Sequence, residues 1–139
     1  MTANSPRTRM NKGRQFQKVI KDIFMDKYPS LTEDDIRTPV GAENGSDIIL
    51  SKEGKSFVPF DIEIKRTEKL NLWGAIKQAE TNSSSNRIPL VIFKRNRSKI
   101  YCCLEFGHFM DVISKKYSKH LLNDEYKRYN TEVEEDESK

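Results

Sequence analysis

The stretch Phe60-Asp61-Ile62-Glu63-Ile64-Lys65 decides the fold and the candidate site of this chain. Apolar and charged residues alternate strictly along it, which is the pattern of a β-strand that buries one face. The apolar side chains then share one face, and Asp61, Glu63 and Lys65 share the other. The pattern therefore predicts a strand that holds two carboxylates and an ammonium group side by side.

A second strand is expected to place another carboxylate beside this charged face. Residues 47–51 have a strand pattern, residues 52–55 are turn-like, and residues 57–65 form the return strand of a predicted hairpin. Neighbouring side chains on paired strands lie about 5 Å apart, so Asp47 would reach Glu63. Two carboxylates, a backbone carbonyl and water suit Mg²⁺, and a nearby lysine suits phosphodiester hydrolysis. A merely solvated strand face is the alternative, because Glu-x-Lys is common in lysine-rich chains.

The rest of the pattern predicts an α/β fold with a mixed central sheet flanked by helices. Asn11 would cap a helix over residues 12–27, and further helices are expected over residues 70–82 and 106–117. Strands are expected near residues 37–40 and over residues 89–93 and 99–104. The strand over residues 89–93 is expected to be buried on both faces. The element order is then α-β-β-β-α-β-β-α. Trp73 falls on an apolar helix stripe and is expected in the core or in a dimer interface.

Length and charge predict one compact domain with a basic body. Of the 139 residues, 1–10 read as a flexible basic arm, 11–117 as a single domain, and 118–139 as an extension with an acidic, disordered tail. The net charge is +4, and residues 132–139 contribute −4, so the remaining residues carry +8. This distribution favours a polyanionic partner, and the alternative is a set of solvated lysine faces.

Several other classes of protein are disfavoured. Cys102 and Cys103 are adjacent and would point to opposite faces of a strand, which argues against a mutual disulfide and fits a reducing cytosol. His108 and His120 stand alone, without zinc spacing. No apolar run is long enough to cross a membrane, and no phosphate-binding glycine loop suggests an organic cofactor. A cytoplasmic protein is therefore expected.

At this point the chain resembles the PD-(D/E)XK nuclease superfamily over about residues 10–113. Gly45-Ser46-Asp47 followed by Asp61-Ile62-Glu63-Ile64-Lys65 is similar to the superfamily signature. Further residues resemble phage-encoded and archaeal-type Holliday junction resolvases, namely Lys12-Gly13-Arg14-Gln15-Phe16-Gln17, Arg37, Leu70-Asn71-Leu72-Trp73, Gln78-Ala79-Glu80 and Val91-Ile92-Phe93-Lys94-Arg95-Asn96-Arg97. The resemblance implies a restriction-endonuclease-like core and a homodimeric, Mg²⁺-dependent endonuclease for branched DNA, with Mn²⁺ able to substitute. If phage-encoded, it would act in the host cytoplasm.

The resemblance also implies roles for particular residues. Asp47 and Glu63 would ligate the metal with the carbonyl of Ile64, Lys65 would be the catalytic lysine, and Gln78 would support the site.

One departure from the family concerns the first helix. Archaeal-type resolvases usually place a metal-site glutamate there, and this chain has Gln17 at the matching position. Glutamine supplies no negative charge, which puts a two-metal site in doubt. Glu43 is a candidate substitute, and the alternative is that it is a solvated loop acid.

The expected contacts to DNA are basic side chains on the first helix, before the glycine loop and in the turn after the buried strand: Arg14, Lys18, Arg37, Lys94, Arg95 and Arg97. The alternative is that each is a solvent-exposed charge on the surface and makes no contact with DNA. Three functions remain open: a junction resolvase, a nicking or single-strand-specific nuclease with the same site, and a DNA-binding module that retains the fold without catalysis.

Overall fold

A mixed β-sheet lies between helices in the computed structural model, which describes residues 5–114. The elements are α1 (Pro6–Lys27), β1 (Ile36–Arg37), β2 (Ile49–Leu50), α2 (Lys52–Phe57), β3 (Phe60–Arg66), α3 (Leu72–Asn82), β4 (Ile88–Lys94), β5 (Tyr101–Cys103) and α4 (Phe106–Ile113). The predicted α/β class with a mixed sheet is confirmed, and β1 overlaps the strand expected near residues 37–40 only at Arg37.

The main sheet has the order β3-β4-β5, with β3 and β4 parallel and β4 and β5 antiparallel. The central strand β4 is buried on both faces, as its apolar run predicts: Leu90 and Ile92 face one core and Val91 faces the other. A separate two-stranded sheet joins β1 to β2, pairing Ile36 with Leu50.

Two cores form because helices cover both faces of the main sheet. The larger one packs Phe16 and Ile20 of α1 against Ile62 and Ile64 of β3. The smaller one places Ala75 and Ala79 of α3 over Val91. The predicted alternation along residues 60–65 is therefore present: the apolar residues face α1, and Asp61, Glu63 and Lys65 lie on the α3 side.

The first helix begins earlier than the sequence pattern predicts. It starts at Pro6, and the Ser5 hydroxyl caps it by accepting a hydrogen bond from the Thr8 amide at 3.2 Å. The predicted cap at Asn11 and the predicted flexible arm over residues 6–10 are therefore wrong. The apolar stripe begins only at Phe16, so periodicity alone gave no signal for the preceding turns.

The predicted hairpin over residues 47–65 is also wrong in its connection. Residues 52–57 form α2 rather than a turn, and β2 pairs with β1 instead of β3. Ser51 caps α2 by accepting from the Gly54 amide at 3.0 Å. Gly54 is buried so tightly that an added Cβ would overlap the carbonyl oxygen of Asp35. The order consequently contains one helix more than predicted.

Three further features of the structure concern Trp73, the two cysteines and the lengths of the apolar helices. Trp73 is 81% exposed, so the predicted packing in a core is wrong within residues 5–114. Cys102 and Cys103 both carry free thiols. No helix in the part of the chain that the structure describes is long and apolar enough to span a membrane. The end of the last predicted helix and the extension over residues 118–139 lie outside the described residues.

Candidate metal and catalytic site

Asp47 and Glu63 lie side by side, although the predicted hairpin does not form. Glu63 sits on β3 and is only 3% exposed. The preceding loop turns at Gly45, whose φ of +107° is in the region that favours glycine. The Asp47 amide then donates to the Ile62 carbonyl at 2.8 Å, and the Ile64 amide donates to Asp47 Oδ2 at 2.7 Å. These two bonds flank Glu63 and fix Asp47 against it.

The burial of Glu63 makes its charge costly. Burial, together with the negative charge of Asp47 and a hydrogen bond with that residue, raises the pKa of Glu63 to about 7, although the charge of Lys65 and a hydrogen bond with Asn82 act in the opposite direction. Near neutral pH, a proton or a bound cation would relieve the electrostatic repulsion between these two carboxylates. Asn82, at the end of α3, was not among the residues predicted from the sequence.

Lys65 is positioned between the buried carboxylate and solvent. Its Nζ lies 3.6 Å from Glu63 Oε1 and donates to Gln78 Oε1 at 2.8 Å. The lysine side chain remains 30% exposed. Asn71 caps α3 by accepting from the Gly74 amide, and the helix then carries Gln78 over β3. The structure thus brings together Asp47, Glu63, Lys65 and Gln78.

Asp61 shares the charged face of β3 but is committed to another network. Its Oδ1 accepts from Arg87 Nε at 3.0 Å, and its Oδ2 accepts from the Ser83 hydroxyl and the Ser84 amide, both at 3.0 Å. Arg87 also donates to the carbonyl of Phe60 at 2.8 Å. The sequence pattern missed this buried pair, because Arg87 stands in a polar segment with no motif around it.

Of the two predicted accessory residues, neither is bonded to the carboxylate pair. Gln17 is half-buried on α1, and no hydrogen bond joins it to Asp47 or Glu63 within residues 5–114. Both carboxylate oxygens of Glu43 accept from Arg37, at 2.9 and 3.0 Å, and these bonds with the Val40 amide lower the pKa of Glu43 to about 2. Glu43 is therefore paired with Arg37 in the structure, and this ion pair engages the Arg37 guanidinium.

The remaining predicted DNA contacts fall into two exposed groups. Arg14 and Lys18 are exposed on α1, and Arg95 and Arg97 are exposed in the turn after β4, with Lys94 half-buried before them. Asn96 ties this turn to the body, since its side-chain oxygen accepts from Arg66 at 2.7 Å and from Lys12 at 3.3 Å.

The donors at Asp47 and Glu63 fit a hard divalent cation. Two carboxylates and the Ile64 carbonyl would supply oxygen ligands, and Mg²⁺ ordinarily keeps several waters beside one or two carboxylates. Residues 5–114 contain no group of three or more His, Cys, Asp or Glu side chains that could hold a metal. A cation at this site would therefore be held by the carboxylate pair.

Comparison with protein-family models, with curated proteins and with solved structures finds no match to this chain.

Replacing Glu63 by Gln is expected to stabilise the cation-free protein at about pH 8 and to leave it unchanged at about pH 4. The folded pKa of about 7 lies above the ordinary value of 4.5, so this residue's contribution to stability is complete below 4.5 and is lost as the pH rises through 7. The loss is on the order of 3 kcal/mol. Denaturant unfolding in EDTA measures it, with the exposed Glu53→Gln as control. An equal difference at both pH values would contradict the assignment.

Proposed function

We propose that this chain is a metal-dependent DNA endonuclease of the PD-(D/E)XK type with a restriction-endonuclease-like core. The observation that carries the proposal is the closeness of Asp47 to the buried Glu63 on β3: Asp47 Oδ2 accepts from the Ile64 amide at 2.7 Å, and the two carboxyl groups share a hydrogen bond. Lys65, two residues further along the same face, completes the set. A carboxylate such as Glu63, whose pKa is raised by its burial and by a neighbouring carboxylate, is costly to maintain in a merely structural role, which supports a cation site.

Each residue has a definite part in the proposed reaction. Asp47, Glu63 and the Ile64 carbonyl would hold Mg²⁺, which when bound supplies charge stabilisation at a scissile phosphate and lowers the pKa of water. The partly exposed Lys65 ammonium can donate to a phosphate oxygen or orient the attacking water. Gln78 holds that ammonium over the site by accepting its hydrogen bond.

Branched or structured DNA is the proposed substrate, and a homodimer the proposed assembly. The exposed basic groups on α1 and in the turn after β4 offer phosphate contacts. Symmetric cleavage of a four-way junction requires two active sites, which a two-fold dimer provides. This narrower substrate is supported by the similarity of the sequence motifs to resolvases.

The experiment compares four-way junction, flap, duplex and single-stranded DNA of equal length with Mg²⁺ or Mn²⁺. Paired, symmetric cuts confined to the junction are expected. Cleavage of single-stranded DNA, or single nicks in duplex DNA, would contradict the resolvase function and indicate a nicking or single-strand-specific nuclease. DNA binding without cleavage of any substrate would indicate a non-catalytic DNA-binding module. Gln17 supports this alternative, because its neutral side chain stands where archaeal-type resolvases usually have a metal-site glutamate.

A further inference from the structure

An aromatic pair lies in the same row of the sheet as Lys65. Lys65 on β3 pairs with Phe93 on β4, and Phe93 pairs with Tyr101 on β5. Residues that pair directly across neighbouring strands project to the same face of a sheet. Adjacent strands are about 4.8 Å apart, so the Tyr101 backbone lies roughly 10 Å from that of Lys65. The row therefore runs from the candidate site to the edge strand.

The two rings form a supported, accessible platform. Phe93 and Tyr101 stack with their centroids 6.2 Å apart and their planes at 29°. Phe93 is half-buried and packs against the smaller core, which fixes its position. Tyr101 is 55% exposed. A rigid aromatic ring that is held from beneath and open to solvent is the arrangement on which nucleic-acid bases stack.

Basic residues surround this platform. The two aromatic residues and the basic residues Lys94, Arg95, Arg97 and Lys99 line a cleft of about 500 Å³, here called the aromatic cleft. Glu68 is the one carboxylate that lines it among the described residues, and it accepts from the Asn96 amide at 2.8 Å and lies 3.7 Å from Arg66 Nη1. The net positive charge favours a polyanion, since an uncharged apolar partner would leave these cations buried and unpaired.

We propose that the aromatic cleft binds an unpaired nucleotide, whose base stacks on Tyr101 while its phosphates contact the surrounding lysines and arginines. The inference rests on the proposed function, because the bound nucleotide would lie on the same DNA strand as the phosphate at Lys65 and close to it. Stacking on an aromatic ring tolerates every base. The cleft would therefore select DNA with unpaired nucleotides near the cut, such as a branch point, without selecting its sequence.

The test measures binding of fluorescent oligo(dT) to the full chain in EDTA, where metal-dependent cleavage does not interfere. Tyr101→Ala is expected to weaken binding roughly 5- to 100-fold, and Tyr101→Phe to retain it within about twofold. Phe106→Ala removes another exposed aromatic ring, on α4, and is the matched control with unchanged affinity. An abasic oligonucleotide of the same length should bind wild type and Tyr101→Ala equally, since it presents phosphates without bases.

Several outcomes would overturn the inference. The first is that wild type does not bind oligo(dT), and the second is that wild type and Tyr101→Ala bind it with equal affinity. The third is that Tyr101→Ala loses as much affinity for the abasic oligonucleotide as for oligo(dT). A change of oligomeric mass in Tyr101→Ala with unchanged DNA affinity would instead make this face a protein interface. Failure of the nuclease proposal is distinguishable, because wild type would then cleave nothing with Mg²⁺ or Mn²⁺ while Tyr101-dependent binding persists.

Discussion

Replacing Lys65 by Met is expected to lower the rate of Mg²⁺-dependent DNA cleavage roughly 100- to 1,000-fold, the usual effect of removing one donor to a developing negative charge. Methionine keeps the aliphatic length of the side chain but removes the ammonium that lies 3.6 Å from Glu63 Oε1. DNA affinity in EDTA is expected to change little, because other basic groups supply most phosphate contacts. Single-turnover cleavage and equilibrium binding measure the two effects separately.

The matched control is Lys77→Met, which removes an exposed lysine of α3 next to Gln78. It should leave the cleavage rate unchanged. Gln78→Ala should fall between the two variants, because it releases Lys65 without removing its charge. Equal activity of Lys65→Met and wild type would remove the catalytic role assigned to Lys65.

Replacing Arg87 by Met is expected to destabilise the fold by about 3–5 kcal/mol, the usual cost of leaving one partner of a buried ion pair uncompensated. The Arg87 and Asp61 side chains are only 6% and 12% exposed. Besides Asp61, the guanidinium bonds to the carbonyls of Lys55 and Phe60, so it joins the end of α3 and the start of β4 to α2 and β3. Denaturant unfolding measures the loss.

A double variant separates the ion pair from simple packing. Asp61→Asn together with Arg87→Met should be less destabilised than the sum of the two single variants, because no uncompensated charge remains. Arg95→Met, at an exposed position, should change the free energy of unfolding by less than about 0.5 kcal/mol. Strict additivity of the two buried substitutions would contradict the ion-pair account.

Local periodicity predicted the parts of the fold in which one pattern extends over several residues. The alternation along β3 placed Glu63 and Lys65 on one face, and the continuous apolar run of β4 predicted a strand buried on both faces. These features follow from geometry that each segment carries by itself. They are the features on which the candidate site depends most.

Tertiary contacts determined the parts that periodicity missed. Residues 52–57 have no apolar stripe, and α2 forms there because Ser51 caps it and Gly54 fits closely against Asp35. Arg87 looks like a surface residue in the sequence, and only the fold reveals that Asp61 lies within hydrogen-bond distance of it. Asp47 reached Glu63 as predicted, but through an isolated pair of bonds beside β3 rather than through a hairpin.

The central claim is that the Asp47–Glu63 pair binds a divalent cation, and titration of the protein with Mn²⁺, followed by electron paramagnetic resonance, tests it most directly. Wild type should bind Mn²⁺ with an affinity that rises roughly tenfold from pH 6 to pH 8, because Glu63 with its pKa of about 7 must lose its proton to act as a ligand. Glu63→Gln should lose this binding, and Glu53→Gln should retain it. Equal Mn²⁺ binding by wild type and Glu63→Gln, or none by wild type, would contradict the account.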